Sequence, residues 1–360
     1  MSNKLKSSNE RSHILDALKG ICIFLVTFSH LNFTGEQKAN MQFAFWVDLA
    51  VPMFMIITGY LYTLSYKKRG GLTEENIKSH IIRSLITYTV PYVLAFSVQS
   101  GIIIAQKIQL GQKILFNDYF WAFLRGGWGP GTYYYPVLFQ LVFMFPIIYY
   151  IIDKYDEAGL VACFFINFGL EIWKYAIYMK VETYRLLVFR YFFALAMGSY
   201  VAVRKNKKLS SFLYVLYGVG YSFIYSTQKL GFQTRSFTMW TTTCMLASMF
   251  ALPFFVFVER KLMKHKRLRL FPLEWMGEAS YCIFLTQLVL FGSEIDDKIV
   301  KFVLDKFGYT MNFNEIAIMS LLFSFSVGIG VHYALKPLIK FLCKKATTPK
   351  QPTFAVEESA

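Results

Sequence analysis

Charged residues are scarce in this sequence. Asp, Glu, Lys and Arg together make up 17% of it, against about 25% in an ordinary soluble domain. Acids are scarcer than bases, 22 against 38. Cysteine is confined to five positions, Cys22, Cys163, Cys244, Cys282 and Cys343. None falls in a CxxC spacing and each lies in or beside an apolar run, so neither a zinc site nor a disulfide framework is expected, and the thiols read as small packed hydrophobes. The five histidines are scattered and give no reason for a metal cofactor. The soluble catalytic patterns are missing as well: no Gly-x-Ser-x-Gly elbow, no phosphate loop, no His-Glu-x-x-His, no dinucleotide glycine pattern opening a helix, no His-x-x-x-x-Asp box. No repeat of 20–50 residues and no inverted transporter-type repeat is visible. Any chemistry must use groups inside the body of the fold.

Hydrophobic residues make up 55% and aromatics 19%, with 37 Phe and 24 Tyr. That balance excludes a disordered chain and an ordinary soluble globule. About ten apolar stretches approach the length needed to cross ~30 Å of hydrocarbon: 14–33, 44–66, 81–106, 133–152, 158–178, 185–203, 210–227, 238–258, 275–293 and 315–342. The expected fold class is therefore all-α, a polytopic membrane helical bundle. Residues 14–343 form one transmembrane domain, residues 1–13 a cytoplasmic tail and residues 344–360 a disordered cytoplasmic tail. Basic residues gather in alternate loops, at Lys67, Lys68, Arg69, Lys154, Arg204, Lys205, Lys207, Lys208 and from Arg260 to Arg269. The opposite loops carry Glu36, Asp118, Glu182, Glu294, Asp296 and Asp297. This bias puts both termini in the cytoplasm and explains the net charge of +16 without nucleic acid. The cluster 261–269 also suits anionic lipid headgroups. The first span is long for a signal peptide and lacks a small-residue cleavage site, so it reads as an uncleaved helix of a multi-pass plasma-membrane protein.

Ionisable groups inside a span cost roughly 2.5–3.5 kcal/mol each on insertion scales, so each needs a reason. Lys19 and His30 share the first span, ~16 Å apart along one face. Lys19 either snorkels beside Asp16 or binds an anion; His30 either packs between helices or moves a proton near neutral pH. Arg190, in LLVFRYFFALAMGSY, keeps its proton and must find an acceptor, an anion or an ion-pair partner such as Asp48. Asp48 and Glu171 sit near outer helix ends, where solvated carboxylates are ordinary. His332 reads as a packed core histidine. Gly59 suits close helix packing. Tyr133, Tyr134 and Tyr135 open a span as an interfacial belt or as a sugar-stacking platform.

Several stretches taken in order suggest a family. LDALKGICIFLVTFSH resembles the first-helix signature of the acyltransferase-3 family of integral membrane acyltransferases, with Lys19 where Arg is usual and His30 closing it. VPMFMIITGYLY is similar to that family's Pro-Phe run, with Thr58 in the serine position; FRYFFALAMGSYV is similar to its Arg-plus-Phe segment. GEASYCIFLTQ resembles its Ser-Tyr motif, with Phe284 standing for Tyr and Gln287 for His. GTYYYPVLFQLVFMFPII looks like the middle-helix segment of members that act on surface polysaccharides of Gram-positive bacteria.

The resemblance implies a bacterial cell-envelope enzyme. It would transfer a short acyl group from acyl-CoA (acetyl-CoA or succinyl-CoA) to a hydroxyl of an extracytoplasmic glycan or lipid-linked sugar. Its donor site would include Lys19, Ser280 and Tyr281. Its acceptor site would include Asp48, Tyr133, Tyr134 and Glu171. His30 would act as general base or carry the acyl group itself, and Arg190 would stabilise the oxyanion. A transporter or flippase using the same polar residues as a gated pathway is the contrasting expectation. The sequence carries no signal for oligomeric state.

Overall fold

A computed structural model describes residues 12–204, 211–229, 239–265 and 268–348. The polar N-terminal tail before Ser12, the basic residues Lys205, Lys207 and Lys208, and the tail beyond Thr348 lie outside the described residues. Every described element is helical. In chain order the α-helices are α1 (His13–Ser29), α2 (Gly35–Asn40), α3 (Ala50–Lys68), α4 (Glu74–Gln109), α5 (Phe116–Arg125), α6 (Tyr134–Ala176), α7 (Val181–Arg185), α8 (Phe192–Val203), α9 (Ser211–Lys229), α10 (Met239–Phe257), α11 (Phe271–Glu278), α12 (Ser280–Gly292), α13 (Ile295–Phe307) and α14 (Phe313–Thr347). Among the described residues, Phe43–Lys68, Glu74–Gln109, Tyr134–Ala176 and Phe313–Thr347 are long and apolar enough to cross a membrane, and Val188–Val203 and Ser280–Gly292 are shorter apolar helices.

Local chemistry sets the helix ends. Thr73 caps α4 by accepting from the Asn76 N–H at 3.2 Å, and Glu74 and Glu75 meet the positive end of the helix dipole. Asn312 and Glu315 close a reciprocal capping box on α14. Helix α1 stops at Ser29, short of the expected 33. Its last carbonyls find local donors, Val26 O from the Ser29 hydroxyl at 2.7 Å and Thr27 O from the His30 N–H at 3.2 Å, and Thr34 with Gln37 then opens α2 with a capping box of its own. At the other end of the chain α14 continues to Thr347, past the expected limit at 343, so residues 344–347 are helical rather than disordered. Lys344 and Lys345 suit its last turn, and the Thr347 hydroxyl bonds back to Cys343 O at 2.8 Å. Helices α5 and α13 occupy stretches expected to be loops. They are amphipathic and too short to span, so a search for long apolar runs passes over them.

Helix α6 is two arms rather than one rod. Asp156 has φ 48°, ψ −116°. A side chain built at Gly159 would approach Ile151 O at 2.5 Å, whereas residues so spaced along a straight helix lie ~12 Å apart. The chain therefore reverses at Asp156, between the stretches 133–152 and 158–178 read as separate spans.

The helices meet at glycines. Cβ atoms at Gly20 and Gly277 would collide with the backbones at Leu273 and Asp16, where α1 crosses α11. Gly59 and Gly198 would collide with Leu195 and Ile56, where α3 crosses α8. Gly59 thus serves helix packing. Apolar lipid offers no hydrophobic drive between helices, so close backbone approach and hydrogen bonds between helices supply cohesion. Thr63 and Ser199 contribute one such bond, 2.7 Å, at the α3–α8 crossing. The outer surface carries large apolar side chains at helical spacing. Phe139, Phe143, Ile147 and Tyr150 are each more than two-fifths exposed along one face of α6, which suits hydrocarbon and not water.

Candidate functional site

One cavity of about 620 Å³ is walled by α1, α3, α4, α6, α11 and α12. Lys19, Gly277, Glu278 and Ser280 line one end. His30, Lys38, Val47 and Asp48 line the other. Thr58, Tyr62, Thr87, Tyr88, Tyr134 and Tyr281 stand between them. The hydroxyls of Tyr62 and Tyr88 bond each other, and the Tyr281 hydroxyl donates to Tyr88 O at 3.0 Å. The passage is thus apolar in its walls with a band of hydroxyls at mid-depth.

At the first end, Lys19 Nζ holds Asp16 at 2.7 Å while still facing the cavity. Glu278 meets Lys336 at 2.5 Å and His332 at 3.7 Å. His332 is therefore not a packed core histidine. It sits at the margin of this end, where a carboxylate draws it.

At the second end His30 caps α1, its backbone N–H bonded to Thr27 O at 3.2 Å. Its Nδ1 is buried without a hydrogen-bond partner. The ring rests beside a glycine-rich loop before α6. Gly131 has φ +84°, and a Cβ there would press on Phe284 at 2.9 Å and on the His30 ring at 3.3 Å. Gly129, φ +102°, lies against the backbone of Gly292. Both positions demand glycine, for the left-handed backbone and for space. Gln99 pins this loop. It donates to Trp128 O (2.8 Å) and Leu288 O (3.0 Å) and accepts from Trp128 N–H at 3.2 Å. The bonds tie α4, the loop and α12 together around His30.

Tyr133 and Tyr134 line the cavity, and Tyr135 is buried with its ring stacked on Tyr92 at 3.6 Å between centroids. The three face inward rather than forming a lipid-facing belt. Arg190 is fully buried. Its guanidinium lies over the rings of Tyr133 (5.5 Å) and Tyr191 (4.8 Å), and both rings line the cavity. Behind them Arg190 interacts with Glu171 and Lys174. Glu171, expected to be solvated, is buried and accepts from the Tyr184 hydroxyl at 2.5 Å. A buried guanidinium needs partners inside the fold, and the charge of Glu171 on α6 acts on it.

The cavity thus gathers Lys19, His30, Asp48, Tyr133, Tyr134, Ser280 and Tyr281, while Arg190 and Glu171 form a polar cluster behind its aromatic wall. Sequence reasoning missed Lys38, Glu278 and the Gln99-pinned loop. The run GGWGPG was the available signal, since glycine so dense between two helices marks a backbone that needs unusual angles. Among the described residues no three His, Cys, Asp or Glu side chains gather as metal ligands.

A family model described as an acyltransferase domain, of the acyltransferase-3 type, matches residues 12–335. No curated protein and no solved structure matches the chain.

Proposed function

Since the chain belongs to the acyltransferase-3 family, we propose that it is a multi-pass plasma-membrane enzyme that moves an acetyl or succinyl group from cytoplasmic acyl-CoA to a hydroxyl of an extracytoplasmic glycan or lipid-linked sugar. Ten crossings with both termini in the cytoplasm put Lys19 at the donor end and His30 at the acceptor end. The observation that carries this reading is that Lys19 and His30 line one and the same cavity.

Each part of the cavity suits one part of the substrates. Lys19 offers a point charge for a CoA phosphate at the inner mouth. A pantetheine arm is uncharged but rich in amides, and the hydroxyls of Ser280, Thr87, Tyr88 and Tyr281 offer partners along its course. His30 then meets the thioester and the acceptor. It takes the proton from the acceptor hydroxyl as that oxygen attacks the thioester carbonyl. The C–S bond breaks, and the departing thiolate receives the proton back. Asp48, Lys38 and the Tyr133 and Tyr134 rings hold the acceptor. Arg190 supports this end through the rings of Tyr133 and Tyr191, its charge favouring negative charge on the carbonyl oxygen.

The test is acyl transfer from labelled acyl-CoA to a glycan acceptor by purified protein. His30→Ala, matched to the parent in expression and thermal stability, is expected to lose transfer by about 10²–10⁴-fold. Near-parental turnover would overturn the assignment. So would donor-independent solute uptake into sealed vesicles without any transfer.

A further inference from the structure

The mechanism above leaves unused a group that faces the imidazole. Gln287 on α12 is completely buried, and neither atom of its carboxamide has a hydrogen-bond partner. It is the polar side chain set against His30. His30 Nδ1 is likewise buried and unpartnered. Two facing side chains with orphaned polar atoms in the same dry place satisfy each other at the least cost. His30 lines the cavity while its Nδ1 is sealed from it, so Nε2 is the ring nitrogen open to substrate.

We propose that Gln287 is a positioning residue: its carboxamide oxygen accepts the Nδ1–H of His30, which holds the proton on Nδ1 and leaves the lone pair of Nε2 facing the cavity. A neutral imidazole has one donor and one acceptor nitrogen, and the partner of one decides the role of the other. With the proton on Nε2 the ring could not accept from a hydroxyl in the cavity. A carboxamide fixes the tautomer without adding a charge to an apolar wall. Rigid surroundings keep it in place. Gln99 binds Leu288 O, one residue along α12, and Phe284 of the same helix packs on Gly131 beside the imidazole.

This inference rests on the proposed role of His30 only for its catalytic consequence; the tautomer can be read without any activity. The experiment is nitrogen-15 NMR of protein labelled at histidine, with the His30 signals assigned by their loss in His30→Ala. The parent is expected to show a pyrrole-like Nδ1 and a pyridine-like Nε2. Gln287→Met keeps the length and bulk of the side chain and removes both polar atoms, and there the two forms should mix or invert. Gln287→Glu keeps an acceptor oxygen and should keep the parental form. In the transfer assay Gln287→Met should lower kcat on the order of 10²-fold with KM for acyl-CoA nearly unchanged, as for a misplaced catalytic group, and Gln287→Glu should recover part of that loss. A parental tautomer with the proton on Nε2, or the same tautomer in Gln287→Met as in the parent, would overturn the proposal even where His30→Ala abolishes transfer. Should Gln287→Met not fold, the parental spectrum still decides, since a neutral ring with its proton on Nε2 contradicts the proposal.

Discussion

Lys19 illustrates how one side chain can serve an ion pair and a cavity together. Its ammonium reaches Asp16 at 2.7 Å, one turn back on α1, yet it faces the passage that ends at His30. A phosphate arriving there would share the ammonium with Asp16 rather than find it bare. Lys19→Ala is therefore expected to raise KM for acyl-CoA about tenfold, the scale of one charged hydrogen bond, with a smaller fall in kcat, because the proposed contact is with a donor phosphate far from the reacting carbon. Lys19→Arg should stay close to the parent, since it keeps the charge and presents a fork suited to phosphate. Steady-state kinetics over a range of acyl-CoA concentrations checks both, and an unchanged KM in the Ala variant would remove the role. Arg190 makes the opposite point. A residue with the expected chemistry lies behind the wall, in contact with the rings of Tyr133 and Tyr191 rather than open to the cavity.

Among elements, the crossing of α1 with α11 governs the Lys19 end of the site. Gly20 and Gly277 interlock there, and the nearest atoms to a Cβ at Gly277 belong to the backbone of Asp16 and Gly20, which cannot swing aside as a side chain can. The same helices also meet where His13 of α1 reaches Glu274 of α11 at 3.0 Å, a carboxylate that Arg269, just before α11, also contacts at 3.1 Å. Gly277→Val should push α11 off α1, destabilise the protein by about 3 kcal/mol or more and displace Lys19, Glu278 and Ser280 together. Gly101, on α4, has open space around it, so Gly101→Ala should instead gain about 0.4–1 kcal/mol by restricting the unfolded chain. Thermal unfolding in detergent distinguishes the two. Equal behaviour of both variants would mean that the α1–α11 crossing is not tight.

At the scale of the whole molecule, the lipid-facing aromatics and the distribution of charge point the same way. Exposed Phe, Ile and Tyr cover the outside of α6, and the basic loops alternate along the chain. Reporter fusions at Lys207 and Lys350 should face the cytoplasm, and a fusion near Asp297 should face outside. Finding positions 207 and 297 on the same side would break the proposed ten-span arrangement and, with it, the proposed assignment of Lys19 to the donor side.

The membrane-bundle character follows from composition and run length alone, because hydrocarbon tolerates only chains whose backbone groups are satisfied within each segment. Each apolar stretch from 14–33 to 315–342 contains a helix for that reason, and Lys19 and His30 were legible as the costly groups of the first of them. Partnership was not legible. Periodicity tells which face of a helix is apolar, but not which helix it will meet. The bond of Tyr184 to Glu171, the approach of His332 to Glu278 and the nearness of Gln287 to His30 depend on where α6, α12 and α14 come to lie. Glycines set those distances, since a missing Cβ decides how near two backbones can come, and the size of the cavity is what remains between them.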